Sequence, residues 1–181
     1  MSKEEAIAKL IQVFRQYGYE GTTLTKLSEA TGLGKASLYH YFPGGKAEMA
    51  ATVLEYANSW FETTVLKPLK AHTQPEERIK AMSQKINEFY SQGQETCLWA
   101  VLSVGEAHDL FNNQIQNILI IWIDTLTQVL IEAGIEAQQA RQRSEDAIIQ
   151  VQGALILARV LNNNASFQRT LARLPKILLG N

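Results

Sequence analysis

The chain has 181 residues, close to half hydrophobic and about a fifth charged, which supports a substantial buried core and excludes a disordered or low-complexity protein. Its formal net charge is −1, so no general basic field draws it to nucleic acid, and any DNA binding must come from local geometry. A single cysteine, Cys97, excludes an intramolecular disulfide framework and fits a reducing compartment.

No run of about twenty apolar residues exists; the longest, Ile118 to Ile123, stops at Asp124, so no membrane span is expected. The opening Met1-Ser2-Lys3-Glu4-Glu5 lacks a secretory pattern, and the expected location is cytoplasmic. Residues 1–48 hold six Lys/Arg against five acids, and the remainder eleven against thirteen, so neither half is strongly charged.

Ser2 followed by Glu5 forms a capping box, and Ile7, Leu10, Ile11 and Phe14 recur at helical spacing, predicting a first helix that stops at Gly18. Thr23 or Thr25 caps a second, with Leu24 and Leu27 inward and Gly32 closing it. A third starts at Gly34 and runs to about Phe42, where Pro43-Gly44-Gly45 breaks it. Further helices are expected over about 46–67, 75–93, 96–107, 111–133, 136–161 and 166–178, with no convincing strand. The fold class is therefore all-α: a three-helix N-terminal unit over residues 1–46 and about six helices over 47–181.

The second and third helices, joined by a tight glycine turn, have the form of a helix-turn-helix, whose second helix enters the DNA major groove. With Leu38 and Phe42 inward, Ala36 and His40 point away from the core, flanked by Lys35 and Tyr39 on one side and Ser37 and Tyr41 on the other. That face suits DNA: Tyr and Lys donate to phosphates, Ala touches a thymine methyl, and Ser or His bonds base edges. The same pattern also fits an ordinary amphipathic helix with two partly buried tyrosines.

The set Thr22-Thr23, Leu27-Ser28-Glu29-Ala30-Thr31-Gly32-Leu33, Lys35-Ala36-Ser37-Leu38-Tyr39-His40-Tyr41-Phe42 and Lys46-Ala47-Glu48 resembles the N-terminal domain of TetR-type transcriptional regulators, over about residues 5–50. The resemblance implies a homodimer that binds a palindromic operator in double-stranded DNA and is released by a small molecule. Carried over by position, it implies phosphate contacts from Thr25, Tyr39 and Lys46 and base reading from Lys35, Ala36 and Ser37. His40 and Tyr41 fall where the family often places an aromatic and a histidine. Gly34 stands in place of a Ser-type cap, Ala36 in place of a frequent Gly, and the Pro43-Gly44-Gly45-Lys46 turn is one residue longer. That turn resembles a subset related to multidrug-efflux repressors.

In the body, the segment from Phe111 is apolar most of the way round and is expected at the centre. Around it, Trp60, Phe89, Trp99 and Trp122 are candidate walls of an apolar effector pocket, with Ser103, Glu106 and Gln150 as polar candidates. The same aromatics at helical spacing also read as plain core. Cys97 stands near a helix start, a placement that suits redox sensing, but it reads first as a small packing residue. His72 and His108 have no partners at ligand spacing, so no metal or cofactor is expected. Ile149, Gly153, Ala154, Leu157, Ala158 and Leu161, with Phe167, Leu171, Leu174 and Leu178, read as a dimer seam through the last two helices.

The function this predicts is a one-component transcriptional regulator acting as a repressor. The alternative is an architectural DNA-binding protein of the same fold. No nucleophile–base pair or phosphate loop points to an enzyme.

Overall fold

The computed structural model describes residues 2–180. Nine α-helices and no strand are present among the described residues. The chain separates into two compact units. One contains the chain up to Ser59 with Cys97–Gln116; the other contains Trp60–Thr96 and the chain from Asn117.

In the first unit, α1 (Lys3–Gly21) opens on the expected capping box: Glu5 N–H donates to Ser2 Oγ at 3.1 Å and Ser2 N–H to Glu5 Oε2 at 2.8 Å. Its regular course breaks at Gly18 (φ 64°), as expected, but one more turn carries it to Gly21 and buries Tyr19. α2 (Leu24–Thr31) and α3 (Lys35–Tyr41) follow, then α4 (Gly45–Trp60). Leu10, Phe14, Leu27, Leu38, Phe42, Met49 and Val53 are fully buried and form this unit's core.

The single helix expected over 46–67 is shorter. α4 ends at Trp60 and gives way to one π turn over Phe61–Val65, closed by Leu66 N–H on the Phe61 carbonyl at 3.1 Å, then a 3-10 turn over Lys67–Lys70. Pro68, which has no N–H to donate, prevents a regular α continuation. α6 (Leu98–Val101) also falls short of the expected 96–107, because α7 (Glu106–Glu132) starts earlier than Phe111.

α7 is long and apolar enough in length and composition to cross a bilayer. Its buried residues nevertheless follow one helical stripe through Ala107, Phe111, Ile115, Ile118, Trp122, Leu126 and Val129, the pattern of a core-packed helix. The apolar surface does not close all round, since Ile120 and Ile131 are exposed.

In the second unit, α9 (Ala165–Leu179) packs on both α5 (Pro75–Phe89) and α8 (Ala137–Val160). α8 starts on Glu136, whose carboxylate accepts from the N–H groups of Gln138 and Gln139 at 3.0–3.1 Å. The stripe Phe167, Leu171, Leu174 and Leu178, read from the sequence as part of the seam, is buried inside the chain instead, because α9 spends its apolar face on α5 and α8. Ala154 and Ala158 are buried likewise. What α8 leaves outward is Ile149, Gly153, Ile156, Leu157, Val160 and Leu161, an apolar stripe at helical spacing.

One turn of this unit depends on a missing side chain. Gly93 has φ +90°, and a Cβ there would lie 2.8 Å from Phe167 Cδ1. Gly93→Ala combines backbone strain with overpacking and is expected to cost about 3 kcal/mol in a urea unfolding titration.

Candidate nucleic-acid interface

The turn between α2 and α3 is tied by its own side chains. Thr23 Oγ1 caps α2 by accepting from Lys26 N–H at 3.3 Å, and Gly32 closes it in the left-handed region (φ 73°). Thr31 Oγ1 donates to the Leu27 carbonyl at 2.7 Å and accepts from Leu33 N–H at 3.2 Å, while Ser28 Oγ donates to the Leu33 carbonyl at 2.6 Å. These bonds satisfy polar groups that a sharp turn would leave unmet, and so fix the path into α3. Gly34 begins α3 without a side-chain cap.

α3 hangs on Leu38 and on Phe42 just beyond it, both fully buried. Lys35, Ala36, Ser37, Tyr39 and His40 are exposed, and Tyr41 is half-buried with its ring edge-to-face on His40 at 5.9 Å. The face derived from helical periodicity is therefore the face turned to solvent. Thr25, in the first turn of α2, is also exposed.

The extra glycine in the turn before α4 has a physical reason. Gly45 has φ +67°, and a Cβ there would sit 3.3 Å from the Tyr39 ring. The tyrosine therefore rests against bare backbone.

The unit's basic residues are engaged more than their types suggest. Lys46 Nζ donates to the Tyr19 carbonyl at 3.1 Å and lies 4.1 Å from the Tyr19 ring centroid. Lys26 does the same with the Gly21 carbonyl (2.7 Å) and the Tyr17 ring (3.9 Å). Lys46 thus holds the C-terminal turn of α1, a role its sequence position does not disclose.

Sequence reasoning also missed Glu20. Its Oε1 accepts from Glu106 N–H at 2.6 Å and caps the start of α7, while Tyr19 packs edge-to-face on Phe111 at 5.6 Å. No local signal joins residues 86 positions apart. Backbone N–H bonds, from Glu20 itself and from Glu106, hold this carboxyl below its ordinary value of 4.5. The Glu132 carboxyl is lowered by its bond from Arg78, and that of Glu136 by the Gln138 N–H. A carboxyl depressed in the folded state stabilises fully above its unfolded pKa and loses that contribution as pH falls through the folded one. The thermal midpoint is accordingly expected to hold steady from pH 7 to about 5 and to fall below about 4.5 in a pH series of melts. Glu20→Gln should remove part of that fall.

The effector candidates divide between the two units. In the second, Trp60 stacks on Phe89 at 5.3 Å, and Phe61 joins them to Trp122 through edge contacts of 5.2 and 4.8 Å. Tyr90 extends the group, edge-to-face on Phe89 at 4.9 Å. Gln150 lies on the exposed side of α8. In the first unit, Trp99 is buried with its indole N–H on Asn58 Oδ1 at 2.7 Å, and Ser103 Oγ donates to the Ala100 carbonyl at 3.0 Å. Glu106 is exposed at the head of α7.

A short, glycine-turned helix pair presenting a polar outer face defines a helix-turn-helix DNA-binding unit. Residues 6–53 match the model of bacterial regulatory proteins of the tetR family, and residues 75–173 match that of the C-terminal domain of LmrA/YxaF-like transcriptional regulators. The chain is 22% identical to the HTH-type transcriptional regulator LmrA of Bacillus subtilis, over 98% of this chain and 96% of that one. Among solved structures, a TetR transcriptional regulator from Legionella pneumophila superposes with a TM-score of 0.84 at 18% identity, covering 97% of this chain and 96% of its own. The regulatory protein TetR from Rhodobacter sphaeroides gives 0.81 at 19%, covering 96% and 97%. The chain belongs to the TetR family of bacterial transcriptional regulators, with a body of the LmrA/YxaF-like class.

Proposed function

We propose that the protein is a one-component repressor that binds a palindromic operator as a homodimer and leaves it when a small molecule occupies the body. Residues 1–46 then form the DNA-reading part and 47–181 the part that binds effector and dimerises. The observation that carries this reading is the division of α3 into a buried anchor, Leu38 with Phe42, and an exposed face of Lys35, Ala36, Ser37, Tyr39 and His40.

In this reading Lys35, Ala36, Ser37 and His40 meet base edges, while Thr25, Tyr39 and Tyr41 position the helix on phosphates. Lys46 acts on the backbone mainly by holding the end of α1. The outward stripe of α8 forms the two-fold seam, burying apolar surface that a lone chain exposes to water. The effector is a largely apolar molecule bound beside Trp60, Phe89 and Trp122, and it acts through its unequal affinity for the DNA-competent and released states. The working location is the cytoplasm, where both the operator and such effectors are met.

A gel-shift titration with DNA from upstream of the coding gene tests the reading. Tyr39→Phe combined with His40→Ala should weaken specific binding by roughly ten- to hundredfold, as expected for losing a phosphate bond and a base-edge contact. Binding equal to wild type would overturn it.

A further inference from the structure

A cleft of about 560 Å³ lies among the 3-10 turn at Lys67–Lys70, the start of α5 and the last turns of α7, and no residue assigned above to DNA or to the aromatic group lines it. Its size falls within the range of small-molecule sites. Leu69 and Val129 supply apolar wall, and Lys70, Arg78 and Glu132 supply charge.

Arg78 is more than nine-tenths buried. Its Nη1 donates to the Leu69 carbonyl at 3.2 Å and its Nη2 to Glu132 Oε2 at 2.7 Å. Nε, which shares an edge of the guanidinium with Nη2, is buried with no hydrogen-bond partner among the described residues. A carboxylate can take that edge with two parallel bonds, and Glu132 takes it with one.

Glu132 is also poorly placed on its own helix. It is the last residue of α7, where the helix dipole disfavours a negative charge, and its side chain is 44% exposed. It can therefore turn out to solvent. Once it does, Arg78 and Lys70 leave the cleft net positive.

We propose that this cleft binds a small organic carboxylate, whose carboxyl group displaces Glu132 and takes Arg78 through Nε and Nη2 while its carbon skeleton rests against Leu69 and Val129. The exchange forms and breaks hydrogen bonds only. The edge's two parallel donors match a carboxylate, and the group displaced from it is itself a carboxylate. The inference rests on the cleft alone and does not depend on operator binding.

The test uses the full chain without DNA. Benzoate is the probe, benzamide its uncharged isostere and inorganic phosphate the competing anion, followed by calorimetry and by nitrogen-edited spectra of the arginine Nε–H groups. Benzoate should bind saturably and shift one protected Nε–H signal, while benzamide and phosphate do neither. Glu132→Gln, which removes the competing charge, should tighten benzoate about tenfold. Lys70→Met, at an exposed position, should weaken it a few-fold. Absence of saturable benzoate binding would overturn the proposal, as would equal binding of benzamide or phosphate, or an unchanged affinity in Glu132→Gln. If that variant fails to fold, the wild-type Nε–H shift and Lys70→Met decide the matter alone.

Discussion

Replacing Leu157 with glutamate, together with Ile149→Glu, is expected to convert the proposed dimer to single chains at micromolar concentration and to lower operator affinity by roughly two to four orders of magnitude. Ile149, Ile156, Leu157, Val160 and Leu161 are each at least half exposed, so the chain alone covers none of them. Their spacing, with Gly153 also outward, makes one continuous ridge on α8. In the proposed dimer the ridge meets its own copy across a two-fold axis, and a glutamate there loses hydration while facing a like charge. The loss of DNA affinity follows from geometry. A dimer delivers its second recognition helix at a high effective concentration, whereas a single chain has one half-site and a net charge of −1 with which to hold it. Sedimentation velocity and gel shift on the same preparations measure both effects. A double variant that stays dimeric would remove α8 from the interface.

Leu38→Ala is expected to abolish specific DNA binding without altering any residue on the reading face. α3 has seven residues, too few to persist as a helix without tertiary support. Leu38 is its fully buried anchor, and truncation there should cost about 3 kcal/mol. The loss falls on the first unit, so the variant should remain dimeric while its operator affinity drops at least about a hundredfold. Hydrogen exchange should locate the loosened amides in α2 and α3. Normal DNA binding by this variant would mean that α3 is not the element that reads the operator.

The helix-turn-helix was legible in the sequence because its determinants are local. The cap at Thr23, the turn at Gly32 and the pairing of Leu38 with Phe42 all act within four residues or fewer of their partners, and periodicity alone placed Ala36 and His40 outward. The less legible features depend on residues far apart in the chain. Lys46, which the family resemblance places on phosphate, also meets the Tyr19 carbonyl 27 positions away, and Glu20, which carries no local signal, caps α7 from 86 positions away. Periodicity also identifies an apolar face without naming its neighbour. The stripes of α8 and α9 look alike in sequence, yet α9 is covered within the chain and α8 is not. Arg78, which follows Glu76 and Glu77, resembles a solvated helix start, and only the fold shows it buried with half of one guanidinium edge unused.

Hydroxyl-radical footprinting of the purified protein on DNA upstream of the coding gene, with the number of bound chains counted in the same complex, decides whether a pair of chains reads a palindrome. Two protected half-sites related by a two-fold axis are expected, with centres about 34–36 Å apart and one chain on each. A lack of site-specific protection at low salt, or a single chain protecting an asymmetric site, would contradict that reading.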